Sequence, residues 1–317
     1  GPLFGAFTLL ALLSAHRPLR FGLTLGAILL AGHVGQRDGE GVLLRDRGFF
    51  GAIRVSTTSA ELSWAPGRDP EEKSAYHALY HGATLHGLQA TTLPLRALPL
   101  AYYSENGPIG QVFLAGLLPS NARVAVVGLG VGALMAYGEA GQSWVLYEID
   151  PKIAAVAQNP RYFTYLSGAR APYEIVLGDA RLSLSREHRP FDLIVLDAYS
   201  SDSVPVHLLT REAVQLYLER LTPTGLLAFH LSNRYLDLFP VVAGIAEALG
   251  LAAMERFAPA STEDQRIGIM PARWAIVARR PEDFGALRED PRWKGAEAGE
   301  KTVVWTDDYS SVVSVLR

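Results

Sequence analysis

Cysteine is absent from the 317 residues. Disulfides, thiolate metal ligands and a cysteine nucleophile are excluded with it, while the cellular compartment stays open. A surplus of one charge is lacking too: 29 basic residues stand against 32 acidic ones, for a formal net charge of -3, so the basic footprint of a nucleic-acid binder is missing. Internal repeats and low-complexity tracts are also missing. An apolar content of 49% suffices to bury one large core, or a large domain with a small partner. No uninterrupted apolar run reaches the roughly 20 residues that cross a bilayer. Residues 1–15 and 21–32 form two shorter runs separated by the basic HRPLR. Charge after the first run, rather than before it, argues against a signal peptide. In a chain that starts on Gly1, this segment reads as the tail end of a membrane domain or an interfacial hairpin, with a helical pair packed on the core as the alternative.

What is present divides the chain into three. Residues 1–36 are the apolar segment. Residues 37–105 hold short β-rich pieces, FFGAIRVSTT, AELSW and YHALYHGATLHGLQA, which predict a small antiparallel sheet. Residues 106–317 alternate apolar strands with helical periodicity. The strand candidates are RVAVVGLG, SWVLYEID, YEIVLGD, FDLIVLDA, GLLAFHLS and RWAIVARR, a pattern that predicts a parallel sheet covered by helices.

Open parallel sheets bind ligands beyond the carboxyl ends of their strands, so the residues just after each strand are the candidates. The first strand runs into Gly128, Gly130 and Gly132, where glycine permits a sharp turn and the following helix offers its N-terminus. The second ends in Glu148, twenty residues after Gly128, a spacing at which a carboxylate can accept from ribose hydroxyls. The third ends in Gly178, Asp179 and Ala180, and the fourth in Asp197. Acids after the third and fourth strands suit an S-adenosyl ligand, with an adenine amino group to accept from and a cationic sulfonium to face. The plain alternative for each acid, and a good one for Asp179 and Asp202, is a helix N-cap.

These residues carry a resemblance to the spermidine synthase family, most closely to the bacterial branch in which the synthase-like part follows a membrane region. It spans about residues 45–317 and rests on RGFFGAIRV, HGATLHGLQ, LAYYSENGPIGQVF, YEIDP, GDAR, LDAYSSDSVPVHLLT and VWTDDYSS. The resemblance implies an α/β fold: a Rossmann-like S-adenosylmethionine-dependent transferase sheet, preceded by a small antiparallel β domain and the apolar segment. It also implies transfer of an aminopropyl group from decarboxylated S-adenosylmethionine, or S-adenosylmethionine itself, to a small-molecule amine, with methylthioadenosine released and no metal needed. By the same resemblance Glu148 holds the ribose, Asp179 reaches the adenine, and Asp197 acts on the attacking amine. Asp202 binds that amine, Tyr103 lines its pocket, and Gln89 is a pocket glutamine. A location at the bacterial inner membrane with a cytoplasmic catalytic part, membrane contact through the N-terminal segment, a homodimer and no nucleic-acid partner complete the expectations.

The family's glycine loop usually carries an aspartate, as GGGDGG, facing the cofactor's amine; Val131 stands there, and Ser104 and Glu105 replace further polar residues. The expectation is relaxed recognition of that end of the cofactor. Two other classes stay open: a methyltransferase or an enzyme that cleaves or cyclises S-adenosylmethionine, and a noncatalytic adenosyl or polyamine sensor. His77, His81 and His86 suggest the small sheet more than a metal site. His207 and His230 can line the pocket or simply pack, Tyr162 and Tyr165 read as packing, and Asp307 and Asp308 either charge the amine pocket or make a turn.

Overall fold

The computed structural model describes residues 16–35, 41–61, 73–82, 84–93, 95–198, 205–296 and 302–317. Residues 1–42 group as one compact unit and residues 43–317 as another. In the first, helix α1 (Pro18–Gly35) has 18 residues, about 27 Å of rise. Its Leu19, Leu23 and Leu25 are exposed. No helix among the described residues is long and apolar enough to cross a membrane. That finding overturns the expected inner-membrane location. HRPLR breaks the apolar sequence, so the helix begins only at Pro18; residues 1–15 of the expected segment lie outside the described residues.

The small sheet is antiparallel in the order β1 (Val42–Gly48), β2 (Gly51–Glu61), β3 (Lys73–His81), β4 (Thr84–Ala90). The stretch YHALYHGATLHGLQA makes the β3–β4 hairpin, with Tyr76 opposite Ala90 and His81 opposite Thr84. Alternate residues Ile53, Val55, Tyr76, Ala78 and Leu88 are buried, and they share one apolar cluster with Val124, Val126 and Trp274 of the larger sheet. The two sheets therefore pack on a common core.

After α2 (Pro108–Leu114), the larger sheet contains β5 (Arg123–Val127), β6 (Ser143–Glu148), β7 (Tyr173–Leu177), β8 (Phe191–Leu196), β9 (Leu221–His230), β10 (Ala252–Ala258), β11 (Ala272–Ala278) and β12 (Lys294–Gly295). Their spatial order is β12-β10-β11-β9-β8-β5-β6-β7. Strands β5 to β9 pair in parallel, whereas β11 joins β9, and β10 joins β11, antiparallel. The expected parallel sheet is thus present from β5 to β9, and the antiparallel strands beside β9 make the whole a mixed sheet. β10 (AAMERFA) was not among the sequence candidates: Glu255 and Arg256 interrupt its apolar pattern, yet Met254 and Arg256 turn inward.

The chain leaves β5 toward β6 on one side and returns through β8 on the other, so the strand order reverses at β5. Helices α3 (Pro151–Gln158), α4 (Ala180–Ser185), α5 (Arg211–Glu219), α6 (Phe239–Ala248) and α7 (Thr262–Arg266) follow the strands. α3 starts where Asp150 accepts from the Lys152 amide (2.8 Å) with Pro151 in its first turn, and α4 where Asp179 accepts from the Leu182 amide (2.9 Å). After β5 the sequence predicted a helix, but only a 3-10 turn, Ala133–Tyr137, forms there. Left-handed Gly132 starts it and Gly138 ends it, so no α-helical N-terminus stands behind the glycine loop.

Candidate functional site

A cavity of about 800 Å³ opens where the strand order reverses, at the carboxyl ends of the parallel strands. The backbone at β5 permits it. Gly128 has φ of 95°, and a Cβ there would lie 2.3 Å from the Asp197 carbonyl oxygen. Only glycine lets the ends of β5 and β8 come this close. Gly128 and Gly130 line the cavity; Gly132 and Gln89 do not. The Gln89 amide donates to the Arg96 carbonyl (2.8 Å) and to Thr164 Oγ1 (3.0 Å), and accepts from the Thr164 amide (2.7 Å). It ties the small sheet to the larger one, in place of the expected pocket role.

Glu148 ends β6 inside the cavity and is 8% exposed. One carboxylate oxygen accepts from the Leu129 amide (3.0 Å) and the other from the Asp150 amide (2.9 Å). Burial pushes its pKa up, against those backbone hydrogen bonds. Asp150, two residues on, lines the same wall; Oδ1 caps α3, and Oδ2 is buried with no hydrogen-bond partner. His81 Nε2, from β3, is a second buried polar atom without a partner on this lining. Both atoms face the small sheet: a Cβ on Gly51 would lie 2.4 Å from His81 Nε2, and one on Gly48 3.6 Å from Asp150 Oδ2. Asp179 makes the helix cap that was its plain alternative: Oδ1 caps α4, while Oδ2 lies 3.3 Å from His207 Nε2, with Ala180 beside it on the lining.

Asp197 follows β8 directly. Its Oδ2 accepts from the Tyr103 hydroxyl (2.7 Å), and its Oδ1 lies 2.6 Å from His230 Nδ1 at the end of β9. Asp197 and His230 side chains are 8% and 5% exposed. The imidazole stacks on Trp274, with ring centres 4.5 Å apart, and its Nε2 meets Ser232 Oγ at 2.8 Å. Tyr103 is fixed from behind, its carbonyl accepting from the Tyr137 hydroxyl (2.5 Å). Just before it, Ala101 adopts φ of 56°, in the left-handed region, held by hydrogen bonds to Gly268 and Met270. Asp202 lies outside the described residues.

Three residues take definite places. Val131 is 1% exposed, absent from the lining, and packed so closely on β4 that a Cβ on Gly87 would meet its methyl at 2.4 Å. Its side chain is a core peg, not the cavity-facing stand-in for the family's aspartate. Asp307 is bound to Arg181 through both oxygens (2.7 and 2.6 Å) and to Thr210 (2.7 Å), which hold its pKa down to about 2, and it is not on the lining. His77 points to the Tyr162 carbonyl (2.7 Å), and among the described residues no group of three potential ligands can hold a metal. Sequence reasoning left His230 undecided and passed over Ser232 and Asp150. The rule applied to the first four strands, that the residue ending a parallel strand faces the ligand, finds His230 when extended to the fifth.

No protein-family model matches the chain. A polyamine aminopropyltransferase of Vibrio vulnificus (strain CMCP6) is 32% identical over 130 residues, 38% of this chain and 42% of that relative. The match thus spans less than half of the relative's length. Among solved structures, spermidine synthase from Thermotoga maritima aligns over 87% of this chain and 84% of its own, at a TM-score of 0.51 and 14% identity. A probable spermidine synthase from Corynebacterium glutamicum ATCC 13032 aligns over 74% and 79%, at 0.51 and 12%. The fold is therefore that of the spermidine synthases, and over 130 residues the sequence is similar to that of a polyamine aminopropyltransferase.

Proposed function

We propose that the protein transfers an aminopropyl-type group from decarboxylated S-adenosylmethionine, or from S-adenosylmethionine itself, to a small-molecule amine, releasing methylthioadenosine. The observation that carries this reading is the convergence of Glu148, Asp179 and Asp197, from the ends of the parallel strands β6, β7 and β8, with Tyr103 on one cavity. In this reading Glu148 accepts from the ribose hydroxyls. Asp179 accepts from the adenine amino group while its other oxygen caps α4. Asp197 stands where the attacking amine meets the sulfonium-bearing carbon, and its charge favours the cationic nitrogen formed there. Asp202, five residues further along the sequence, is the candidate for holding the rest of the amine.

The sulfonium leaves as a neutral thioether, so holding two reactants in line is the main work, and a rigid strand end suits it. Mass spectrometry of incubations with both cofactor forms and a panel of amines tests this. Methylthioadenosine together with an extended amine supports the reading; adenosylhomocysteine replaces it with methyl transfer, and methylthioadenosine without an amine product with cleavage or cyclisation. A homodimer belongs to the same proposal, to be read by sedimentation.

A further inference from the structure

We infer that the acceptor amine's proton is stored on His230 and is delivered there by Ser232, with Asp197 orienting the imidazole and carrying its counter-charge. The inference rests on the aminopropyl-transfer reading above and deepens it, because a carboxylate already committed to two donors is a poor lone acceptor. Asp197 accepts from Tyr103 on one oxygen and meets His230 Nδ1 on the other. An ionised carboxylate can only accept, so Nδ1 carries the ring hydrogen and Nε2 the lone pair. The Ser232 hydroxyl, 2.8 Å away, then donates to Nε2, and its oxygen accepts from the Arg273 amide at 2.9 Å. Carboxylate, imidazole and hydroxyl stand in the order that activates a nucleophilic serine elsewhere. Here the hydroxyl lines a cavity whose nucleophile is an amine.

The ring is fixed for this task. It stacks on Trp274 of β11 at 9° between planes and lies 5.2 Å from the Tyr102 ring. The titratable and charged groups around it come from three directions. Asp197 follows β8, Tyr102 and Tyr103 precede α2, and Arg273 lies at the start of β11. The charge of Arg273 is answered by Glu255 of β10 (3.2 Å) and by Asp237 (3.4 Å). An imidazolium formed at this place therefore stands in direct contact with a carboxylate, while the neighbouring guanidinium is already paired.

The step balances. The acceptor enters as an ammonium; one of its protons passes to Ser232 Oγ as the serine's own hydroxyl proton passes to His230 Nε2. The freed amine nitrogen bonds to the carbon beside the sulfonium, and the carbon–sulfur bond breaks with its electron pair staying on sulfur. The products are a neutral thioether and a secondary ammonium, and the proton on His230 returns to solvent.

The test combines kinetics with imidazole nitrogen NMR on the full chain. His230→Gln keeps an amide to donate to Asp197, and thermal unfolding checks that it folds. It should lower kcat by about 10²-fold with little change in the amine KM, and it should remove the imidazole limb from the pH profile. Ser232→Ala should lower kcat by about tenfold, and Ser232→Thr, which restores a hydroxyl, should recover most of it. The wild-type spectrum should show the hydrogen on Nδ1. Undiminished kcat with an unchanged pH profile in His230→Gln overturns the inference, as does a wild-type ring with its hydrogen on Nε2. Failure of the wild type to form methylthioadenosine with any amine instead overturns the aminopropyl reading, and the proton route falls with it.

Discussion

A carboxylate that ends a buried strand has its pKa set by its surroundings before any ligand arrives. Glu148 is desolvated, and this holds its pKa above the usual carboxylate range, even though two backbone amides favour the charged form. In the proposed reading a ribose diol donates to the ionised carboxylate, so affinity for an adenosyl ligand should fall as pH drops through this raised pKa. Calorimetry of methylthioadenosine binding across pH reads it, and an affinity that declines only in the ordinary carboxylate range would contradict it. At neutral pH, Glu148→Ala should weaken binding by about tenfold or more; unchanged affinity in a folded variant removes the ribose role. Asp197 calls for a different outcome because its partners are Tyr103 and His230 rather than backbone. Asp197→Asn should lower turnover by about 10²-fold while leaving methylthioadenosine affinity nearly intact. Full turnover in that variant would exclude both the charge and the orientation it supplies.

Helix starts and strand ends organise the next level. The segment around Asp307 is clamped between α4 and α5: Arg181 grips both oxygens, Thr210 donates a third hydrogen bond, and the Asp307 amide donates to Glu212 (3.0 Å). Arg181 is the main cause of the lowered Asp307 pKa, about 2 in the folded protein. A depressed folded pKa means that the stability linked to Asp307 is present above its unfolded value, near 3.9, and is lost as pH falls toward about 2. Asp307→Asn should therefore lower the melting temperature at neutral pH by a few degrees at most, since the pair is partly exposed, with the difference shrinking toward pH 2. A pH-independent difference would assign the clamp to shape instead of charge. From the sequence, the parallel strands were legible because RVAVV and FDLIVL are buried on both faces, and their terminal residues followed directly. The 3-10 turn after β5 was not, because ALMAY has helical composition and its brevity comes from the flanking glycines. Neither was the hydrogen-bonded assembly around Asp197: Tyr103 and His230 are far apart in sequence and meet only when β9 and the segment before α2 are in place. Gln89 misled for a similar reason, since its partners Thr164 and Arg96 approach only in the folded chain.

Within residues 43–317, β4 of the small sheet packs closely on the glycine loop of the large one. Val131 occupies the space that Gly87 leaves on β4, inside the shared cluster. Val131→Asp should therefore not shift cofactor preference in a stable protein; it should bury an unpaired carboxylate and lose about 3 kcal/mol or more of stability. Urea unfolding decides it, and a variant of native stability with altered cofactor preference would show that residue 131 turns to the cavity after all. The same contact shapes which descendants of this sequence are reachable. A side chain added at Gly87 collides with Val131, an acid at Val131 meets apolar neighbours, and each change alone is harmful. An acid can enter the loop only after compensation arises around the β4 contact, so the order of substitutions matters. In the vocabulary of mutational paths, the pair is a ratchet: the route by which this loop could acquire a charge is closed to any single step.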